Sequence, residues 1–191
     1  MRIISGKWKS RALKGFEGAK IRPTSDKVRG ALFSAVESAL GARGKSWEDL
    51  SVCDLYAGTG ALGLEALSRG AKSAVLVEED LAAARLIQEN VKVFEAEEAA
   101  SIRKSAVSKY IEKTPAGDGP FDLVFADPPY GKGESGRVLE LVSHWARVAP
   151  AALLVVERGE KESEPAVPPG FRRIFSRSWG DTAATVDEKL P

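Results

Sequence analysis

The sequence predicts a doubly wound α/β fold, in which helices cover both faces of a mostly parallel sheet. From residue 51 onward, short apolar runs alternate with amphipathic stretches, as in repeated strand–helix units. A glycine-rich segment follows the first of these runs, at the place where such folds bind ligands. The length of 191 residues suits one core, and we therefore expect residues 1–191 to form a single domain.

The first 22 residues are expected to form a basic extension of that domain. Alternation over residues 2–13 predicts a β-hairpin with its turn near Gly6 and Lys7. Residues 1–29 hold nine Lys or Arg and two acids (9 − 2 = +7), whereas the rest of the chain carries 19 − 25 = −6. This asymmetry favours a polyanionic partner at one end of the molecule. The alternative is a solvated, mobile basic arm.

The remaining elements follow in order along the chain. The segment 23–26, PTSD, predicts a helix start capped by Thr24 or Ser25, and apolar residues at helical spacing continue this helix to Gly41. Strands are then predicted at 51–56, 73–77, about 101–103, 121–126 and 152–157, and helices at 61–69, 80–94, 106–113 and 137–148. Two last strands, 171–178 and 182–189, predict a closing antiparallel hairpin.

Composition excludes several classes of protein. The longest apolar run is about eight residues, which is too short to span a membrane. The N-terminus has no apolar region of signal-peptide length. Cys53 is the only cysteine, so we expect neither an internal disulfide nor a zinc site built on several thiolates, and no metal site is predicted. These features are typical of a cytoplasmic protein, and nothing in the sequence indicates more than a monomer.

The glycine loop, residues 54–63 (DLYAGTGALG), predicts a site for a ligand with an adenosine-like half. Its glycines let the backbone approach a ligand at a helix N-terminus. Glu78 ends the next strand, 78 − 58 = 20 residues beyond Gly58, where a carboxylate can accept both ribose hydroxyls. The spacing Gly58-x-Gly60-x-x-Gly63 also matches a dinucleotide fingerprint, which keeps NAD as an alternative. Asp54 favours S-adenosylmethionine, because its carboxylate attracts an ammonium and repels a pyrophosphate.

The segment 124–130, VFADPPY, predicts a site for a planar amine. Asp127 and the carbonyl of Pro128 can accept the two N–H groups of such an amine, and Pro129 adds no competing N–H. Tyr130 can stack on the base that carries the amine. The strand before Asp127 neighbours the first strand in the usual doubly wound order, so we expect the glycine loop and this turn to meet. The sequence therefore predicts methyl transfer to an exocyclic nitrogen, with Asp127, Pro128, Pro129 and Tyr130 as catalytic residues.

Six segments then carry a family resemblance. They are MRIISGKWKSRALK, IRPTSDKVRGALF, DLYAGTGALGLEALSRGA, VLVEED, VFADPPY and WGDTA. Over nearly the whole chain they resemble the bacterial small-subunit ribosomal RNA guanine-N2 methyltransferases of the RsmD type. The first two segments are the more specific ones, since many amine methyltransferases share the glycine loop and the DPPY turn.

The resemblance implies a class I, Rossmann-like S-adenosylmethionine-dependent methyltransferase that acts on the N2 amine of one guanine in 16S rRNA, within the small ribosomal subunit. It implies cofactor contacts from Asp54, Tyr56, Ala57, Gly58, Thr59, Gly60 and Glu78, and base contacts from Asp127, Pro128 and Tyr130. It implies RNA contacts from Arg2, Lys7, Lys9, Arg11, Arg22, Thr24 and Arg29.

This sequence departs from the family pattern at two places. Ser105-Ala106 stands where an Asp or Asn often binds the adenine amino group, so these two residues are the expected adenine contact, in part through backbone atoms. Trp179 stands where the family more often has Tyr, which we interpret as a packing change. Two other functions stay open at this point: an adenine-N6 or glutamine methyltransferase, and an inactive RNA-binding module that keeps the fold.

Overall fold

A computed structural model describes residues 1–16, 25–131 and 133–190. Within these residues, seven strands form one sheet in the order β3-β2-β1-β4-β5-β7-β6. The strands are β1 Ser51–Leu55, β2 Ser73–Glu78, β3 Ala100–Lys104, β4 Phe121–Ala126, β5 Val148–Gly159, β6 Phe171–Trp179 and β7 Thr182–Lys189. The helices are α1 Asp26–Gly41, α2 Ala61–Arg69, α3 Leu81–Val93, α4 Val107–Glu112 and α5 Glu134–Ser143.

The order of the strands confirms the predicted doubly wound topology. Strands β1 to β5 run parallel, and β7 lies antiparallel between β5 and β6. The chain moves outward from β1 through β2 to β3 and then returns to β4 on the other side of β1. Asp54 lies level with Phe125 across this pair. The carboxyl ends of β1 and β4 are therefore neighbours at the switch point, where α/β sheets bind ligands.

The core has two layers, one on each face of the sheet. The first layer holds side chains from α1, α2 and α3 together with Phe125 and Val155, and the second holds side chains from α4 and α5 together with Cys53 and Val124. Successive strand residues point to opposite faces, so both layers draw on the same strands. Cys53 is fully buried in β1, which has a paired strand on each edge.

The structure corrects the predicted helix 137–148 and the strand that follows it. The helix starts earlier, after Gly133, whose φ of +67° is a conformation that suits glycine. It ends at Ser143 and does not reach 148, since Val148 pairs with Phe121 and already belongs to β5. The apolar residues near 148 fit a helix face and a buried strand equally well, and the pairing with β4 decides between them.

The predicted N-terminal hairpin is shorter and more irregular than expected. Arg2 and Ala12 form a single antiparallel bridge, and the chain between them makes tight turns. Ile3, Trp8 and Leu13 are buried in the first core layer. The N-terminal segment, residues 1–14, is thus folded onto the rest of the protein, which contradicts the mobile arm. Residues 17–22 of the predicted extension lie outside the described residues.

The helices in the described part of the chain are all too short or too polar to cross a lipid bilayer. The same residues contain no group of three or more His, Cys, Asp or Glu side chains placed to hold a metal ion.

Candidate active site

A cavity of about 530 Å³ opens at the carboxyl ends of the central strands. Its volume lies within the range typical of small-molecule sites. It is lined by Tyr56, Gly58, Val77, Glu78, Glu79, Ser105, Val107, Asp127, Pro128, Pro129 and Tyr130. The structure therefore brings Tyr56 and Gly58 of the glycine loop to one cavity with the DPPY turn, whereas the predicted cofactor residues Asp54, Ala57, Thr59 and Gly60 are not among its lining residues. Glu79 and the apolar walls Val77 and Val107 were not predicted, because their only sequence signal is their position beside Glu78 and Ser105.

The backbone of the glycine loop turns sharply toward the start of α2. Tyr56, Gly58 and Gly60 have φ values of +63°, +56° and +79°. The N–H of Gly60 donates to the carbonyl of Ala57 at 2.7 Å, and Gly60 is the N-cap of α2. The first N–H groups of this helix have no intrahelical acceptor, so its N-terminus is partly positive, and the N–H of Gly63 there donates to Asp54. Thr59 lies on the outer side, where its hydroxyl is 3.7 Å from the sulfur of Met1.

Glu78 bridges the glycine loop and the start of α3. One carboxylate oxygen accepts the N–H of Gly58 at 2.9 Å, and the other accepts the N–H of Asp80 at 2.8 Å. Each oxygen keeps a second lone pair, and Glu78 lines the cavity. The carboxylate is therefore fixed in place and can still accept hydroxyl groups.

Asp54 is a buried carboxylate with spare acceptor capacity. Its side chain is 1% exposed, one oxygen accepts the N–H of Gly63 at 2.9 Å, and the other has no hydrogen-bond partner among the described residues. Burial above all, and the charges of Asp127 and Glu78 to a smaller extent, raise the pKa of Asp54 to about 7, against the lowering effect of the Gly63 bond. A cation at this oxygen would relieve both the burial and the repulsion. The donor set thus fits the ammonium of S-adenosylmethionine.

The DPPY turn is held from the opposite side. The N–H of Gly131 donates to Glu162 at 2.7 Å, and the hydroxyl of Tyr130 lies 3.5 Å from that of Thr182 on β7. Tyr130 lines the cavity and is 44% exposed as a residue, although Pro128 is buried. Burial and the neighbouring charge of Asp127 raise the pKa of Tyr130, so the side chain stays a neutral phenol. An exposed ring on a fixed turn is suited to stacking on a flat ligand.

The two residues of the expected adenine contact have different surroundings. Ser105 lines the cavity, its N–H donates to the carbonyl of Glu78 at 3.1 Å, and its hydroxyl donates to the carbonyl of Ala106. Ala106 lines a smaller adjoining cavity of about 270 Å³. No side-chain amide or carboxylate takes the usual adenine position here, since the sequence has Ser105-Ala106 there.

Three buried polar side chains that the sequence pattern did not indicate bind the N-terminal segment to α2 and α3. Glu65 accepts the N–H groups of Ile4 at 2.6 Å and Ser5 at 3.0 Å. The hydroxyl of Ser68 accepts the N–H of Trp8 at 3.0 Å and donates to the carbonyl of Ser5 at 2.6 Å. Glu65 and Ser68 lie on α2, whose sequence pattern is that of an ordinary amphipathic helix. Only the folded structure therefore reveals their contacts with the N-terminal segment.

Asn90 on α3 joins this segment to the glycine loop. Its amide nitrogen donates to the carbonyl of Thr59 at 2.9 Å and to that of Lys14 at 3.1 Å, and its oxygen accepts the N–H of Lys14 at 2.9 Å. The N-terminal segment and the glycine loop are therefore parts of one hydrogen-bonded unit.

The predicted RNA-binding cations fall into different environments. Lys9 is exposed, and Lys7 lies over the ring of Trp8 at 4.4 Å. Arg2 pairs with Asp26 at 3.0 Å. Arg11 is exposed, donates to the carbonyl of Val93 and lies over a phenylalanine ring. Arg22 and Thr24 lie outside the described residues.

The prediction that Arg29 contacts RNA needs correction. Its side chain is 1% exposed, and one terminal nitrogen donates to the carbonyl of Arg2 and to Asp26, both at 2.7 Å. A guanidinium enclosed in this way supports the N-terminal segment and does not face solvent, where a phosphate would lie. Its position in α1, four residues before the buried Phe33, explains the burial.

Comparison with known proteins agrees with this geometry. Residues 1–187 match the family described as Conserved hypothetical protein 95. The Ribosomal RNA small subunit methyltransferase D of Escherichia coli strain K12 is 34% identical over 183 residues, which are 96% of this chain and 87% of that protein. A solved structure from Escherichia coli is 30% identical, with a TM-score of 0.84 over 100% of this chain and 98% of the other. The N-terminal domain of human METTL16, solved in complex with SAH, covers 90% and 73% with a TM-score of 0.69, but its 14% identity shows similarity of fold alone.

Proposed function

The chain belongs to the family described as Conserved hypothetical protein 95, and from its similarity to the Ribosomal RNA small subunit methyltransferase D of Escherichia coli we propose that it methylates the exocyclic N2 amine of a guanine in 16S rRNA. The resemblance to the RsmD-type methyltransferases is confirmed by the relative from Escherichia coli, and the fold is the class I methyltransferase fold. The proposal depends above all on one observation: the cofactor-type loop and the DPPY turn line the same cavity.

We assign the methyl donor, S-adenosylmethionine, to the glycine-loop side of this cavity. Asp54 offers its spare oxygen to the ammonium of the donor, and Glu78 accepts the ribose hydroxyls. Val77, Val107 and Ser105 enclose the adenine. When bound, the donor supplies a methyl group on a positively charged sulfur. Asp54 and Asp127 place negative charge around that centre, and the cavity walls limit access of water.

The DPPY turn holds the acceptor. The N2 lone pair of guanine is delocalised into the ring, so the amine is a poor nucleophile unless it is aligned. Asp127 and the carbonyl of Pro128 accept the two N–H groups and direct the nitrogen toward the methyl carbon, while Tyr130 stacks on the base. With the donor bound, the N–C bond would form as the S–C bond breaks, S-adenosylhomocysteine would leave, and the nitrogen would lose one proton to solvent. Catalysis is therefore mainly alignment and placement of charge.

The rRNA would meet the N-terminal segment beside this cavity. The exposed cations Lys7 and Lys9 lie on the segment that Asn90 ties to the glycine loop. Contacts with phosphates at this surface would fix the RNA relative to the reacting groups without reading its sequence.

The test is methyl transfer to small subunits isolated from cells that lack this gene. We expect labelled methyl groups in 16S rRNA, and mass spectrometry of nuclease fragments should place them on one guanine as N2-methylguanosine. Asp127→Ala should lower the rate by about 10²–10⁴-fold with RNA binding nearly unchanged. Glu98→Ala is the matched control, because this exposed carboxylate precedes β3, an outer strand of the sheet, and does not line the cavity.

Two outcomes would contradict the proposal. Label that appears in duplex DNA and not in 16S rRNA would indicate an adenine methyltransferase. Binding of small subunits without any transfer of label would indicate an RNA-binding module that has lost catalysis. Unchanged methylation by Asp127→Ala would remove this residue from the mechanism.

A further inference from the structure

The outer strand β6 carries aromatic and cationic side chains whose arrangement suits nucleic acid. Phe175 and Trp179 are stacked, with ring centroids 6.0 Å apart and planes inclined by 27°. The guanidinium carbon of Arg177 lies 5.7 Å from the centre of the Trp179 ring. Positions 175, 177 and 179 share one face of the strand, because side chains alternate along it. We call these three residues the β6 ladder.

The β6 ladder is only partly covered by the protein. Phe175 and Trp179 pack by one side against the first core layer but keep part of their surface exposed, and Arg177 is exposed. The strand is the last one in the sheet, so its outer edge has no neighbour among the described strands. The ladder is therefore accessible to a partner.

Arg177 differs from the two other arginines of the strand. Arg172 pairs with Glu188 at 2.6 Å, and Arg173 pairs with Asp187 at 2.9 Å. Within the described ranges, Arg177 lies within ion-pair distance of no carboxylate, and its contact is the ring of Trp179. An exposed arginine on an aromatic ring, with its charge uncompensated, complements a polyanion with flat bases.

The ladder is continuous with the DPPY turn. Trp179 pairs with Thr182 across the β6–β7 hairpin, and the hydroxyl of Thr182 lies 3.5 Å from that of Tyr130. Three strand spacings separate β4 from β6, which is about 14 Å. The N-terminal segment lies on the other side of the cavity, against α2 and α3. An RNA strand that delivers a base to Tyr130 can therefore touch the N-terminal segment on one side and the ladder on the other.

We propose that the β6 ladder binds single-stranded rRNA next to the methylated guanosine, and that Trp179 and Arg177 stack on a neighbouring base. This inference rests on the proposed function. It revises our interpretation of Trp179 as a packing change: the ring packs on the core by one side and supports the exposed guanidinium of Arg177, on which a base can stack. Stacking on aromatic rings and guanidinium planes is how proteins hold unpaired RNA bases.

The test compares four variants for binding to unmethylated small subunits over a range of salt concentrations. Trp179→Ala should raise Kd about tenfold with an unchanged salt dependence, since stacking releases few counterions. Trp179→Phe should restore most of the affinity. Arg177→Gln should raise Kd and flatten the slope of log K against log salt by roughly 0.7–0.9. Arg172→Gln is the matched control: it removes the same charge from the same strand about 17 Å away, where the charge is already paired, and should change neither quantity.

Steady-state methylation gives a second readout that a purely structural role would not produce. The ladder variants should raise KM for small subunits by a similar factor and leave kcat and the Kd for S-adenosylmethionine within about twofold of wild type. If Trp179→Ala fails to fold, Arg177→Gln compared with Arg172→Gln still decides the question.

The inference is wrong if Arg177→Gln and Trp179→Ala bind small subunits as wild type does, or if Arg172→Gln weakens binding equally. Effects that appear with assembled subunits and vanish with naked 16S rRNA would also overturn it, because they would assign the ladder to a ribosomal protein. Failure of wild-type protein to methylate any rRNA would reject the proposed function instead, and can be distinguished from these results.

Discussion

Replacing Glu65 by Gln should loosen the N-terminal segment from the domain. Glu65 is fully buried, and its two oxygens accept three donors: the N–H groups of Ile4 at 2.6 Å and Ser5 at 3.0 Å, and the Nε of Arg69 at 2.8 Å. Glutamine has nearly the same shape but only one acceptor oxygen. In either orientation of the amide, at least one N–H donor would face the NH₂ group instead of an oxygen.

The expected cost follows from these contacts. A hydrogen bond to a charged group contributes about 1.5–3 kcal/mol, and a buried donor left without an acceptor adds a penalty. The change removes at least one such bond and weakens the others, which predicts a loss of about 2–4 kcal/mol. Arg69 keeps its second carboxylate, Glu37 at 2.7 Å, and limits the damage on that side. For a chain of this length, the melting temperature should fall by roughly 5–15 °C if the whole domain unfolds with the segment.

Urea unfolding and amide hydrogen exchange measure the two possible forms of the loss. A global effect lowers the midpoint of the urea transition, whereas a local effect leaves the midpoint near wild type and speeds exchange at Ile4, Ser5 and Trp8. Glu89→Gln is the control: its ion pair with Lys14 holds the same segment but is more than half exposed, so it should cost less than about 1 kcal/mol. Wild-type values for both the midpoint and the exchange of residues 3–13 in Glu65→Gln would refute the reasoning.

Four further predictions concern the site and the N-terminal segment. The pKa of Asp54 is raised to about 7 in the folded protein, so its ionisation lowers the free energy of unfolding as pH rises from about 4 to 7. Asp54→Asn should therefore have a higher melting temperature than wild type at about pH 8 and nearly the same one at about pH 4. The same variant should bind S-adenosylmethionine at least about tenfold more weakly by calorimetry and lack the rise in affinity that we expect of wild type as pH approaches about 7. Gly6→Ala should release the N-terminal segment, because Gly6 has a φ of +81° and a Cβ there would lie 1.8 Å from the carbonyl oxygen of Ser68. The expected result is faster proteolysis of this segment, and cleavage at the wild-type rate would contradict the prediction. Lys7→Gln with Lys9→Gln should lower the salt slope of RNA binding by roughly 1.4–1.8, and an unchanged slope would mean that these cations do not touch phosphate.

The centre of the fold and the candidate site were predictable because their signals are local. The glycine loop, Glu78 and the DPPY turn each follow an apolar run directly, and parallel strands bring their carboxyl ends to the same edge. The order of the strands then follows from the usual doubly wound topology, which the pairing of β1 with β4 confirms. Residues that lie directly after strands can therefore be assigned to one cavity without knowledge of any side-chain contact.

The support of the N-terminal segment was not predictable, because its contacts join residues far apart in sequence. Glu65 meets Ile4 across 61 positions, and Asn90 meets Lys14 across 76. On their helices these side chains look like solvent-facing polar positions. Arg29 was misassigned for a related reason: a cation in a basic segment suggests RNA contact, yet only tertiary packing shows that it is enclosed. The predicted boundary between α5 and β5 was wrong, because the apolar residues near 148 fit both the helical and the strand periodicity.

The position of Cys53 makes its reactivity a measure of how often β1 separates from its neighbouring strands. Its thiol is fully buried in the central strand, and burial raises its pKa well above the usual range, so the reactive thiolate is suppressed while the sheet is closed. The sequence contains no other sulfhydryl group to compete for a reagent. An alkylating agent should therefore modify only molecules in which β1 has separated from its neighbours. The rate of labelling, followed by mass spectrometry, would then measure how often this separation occurs under native conditions.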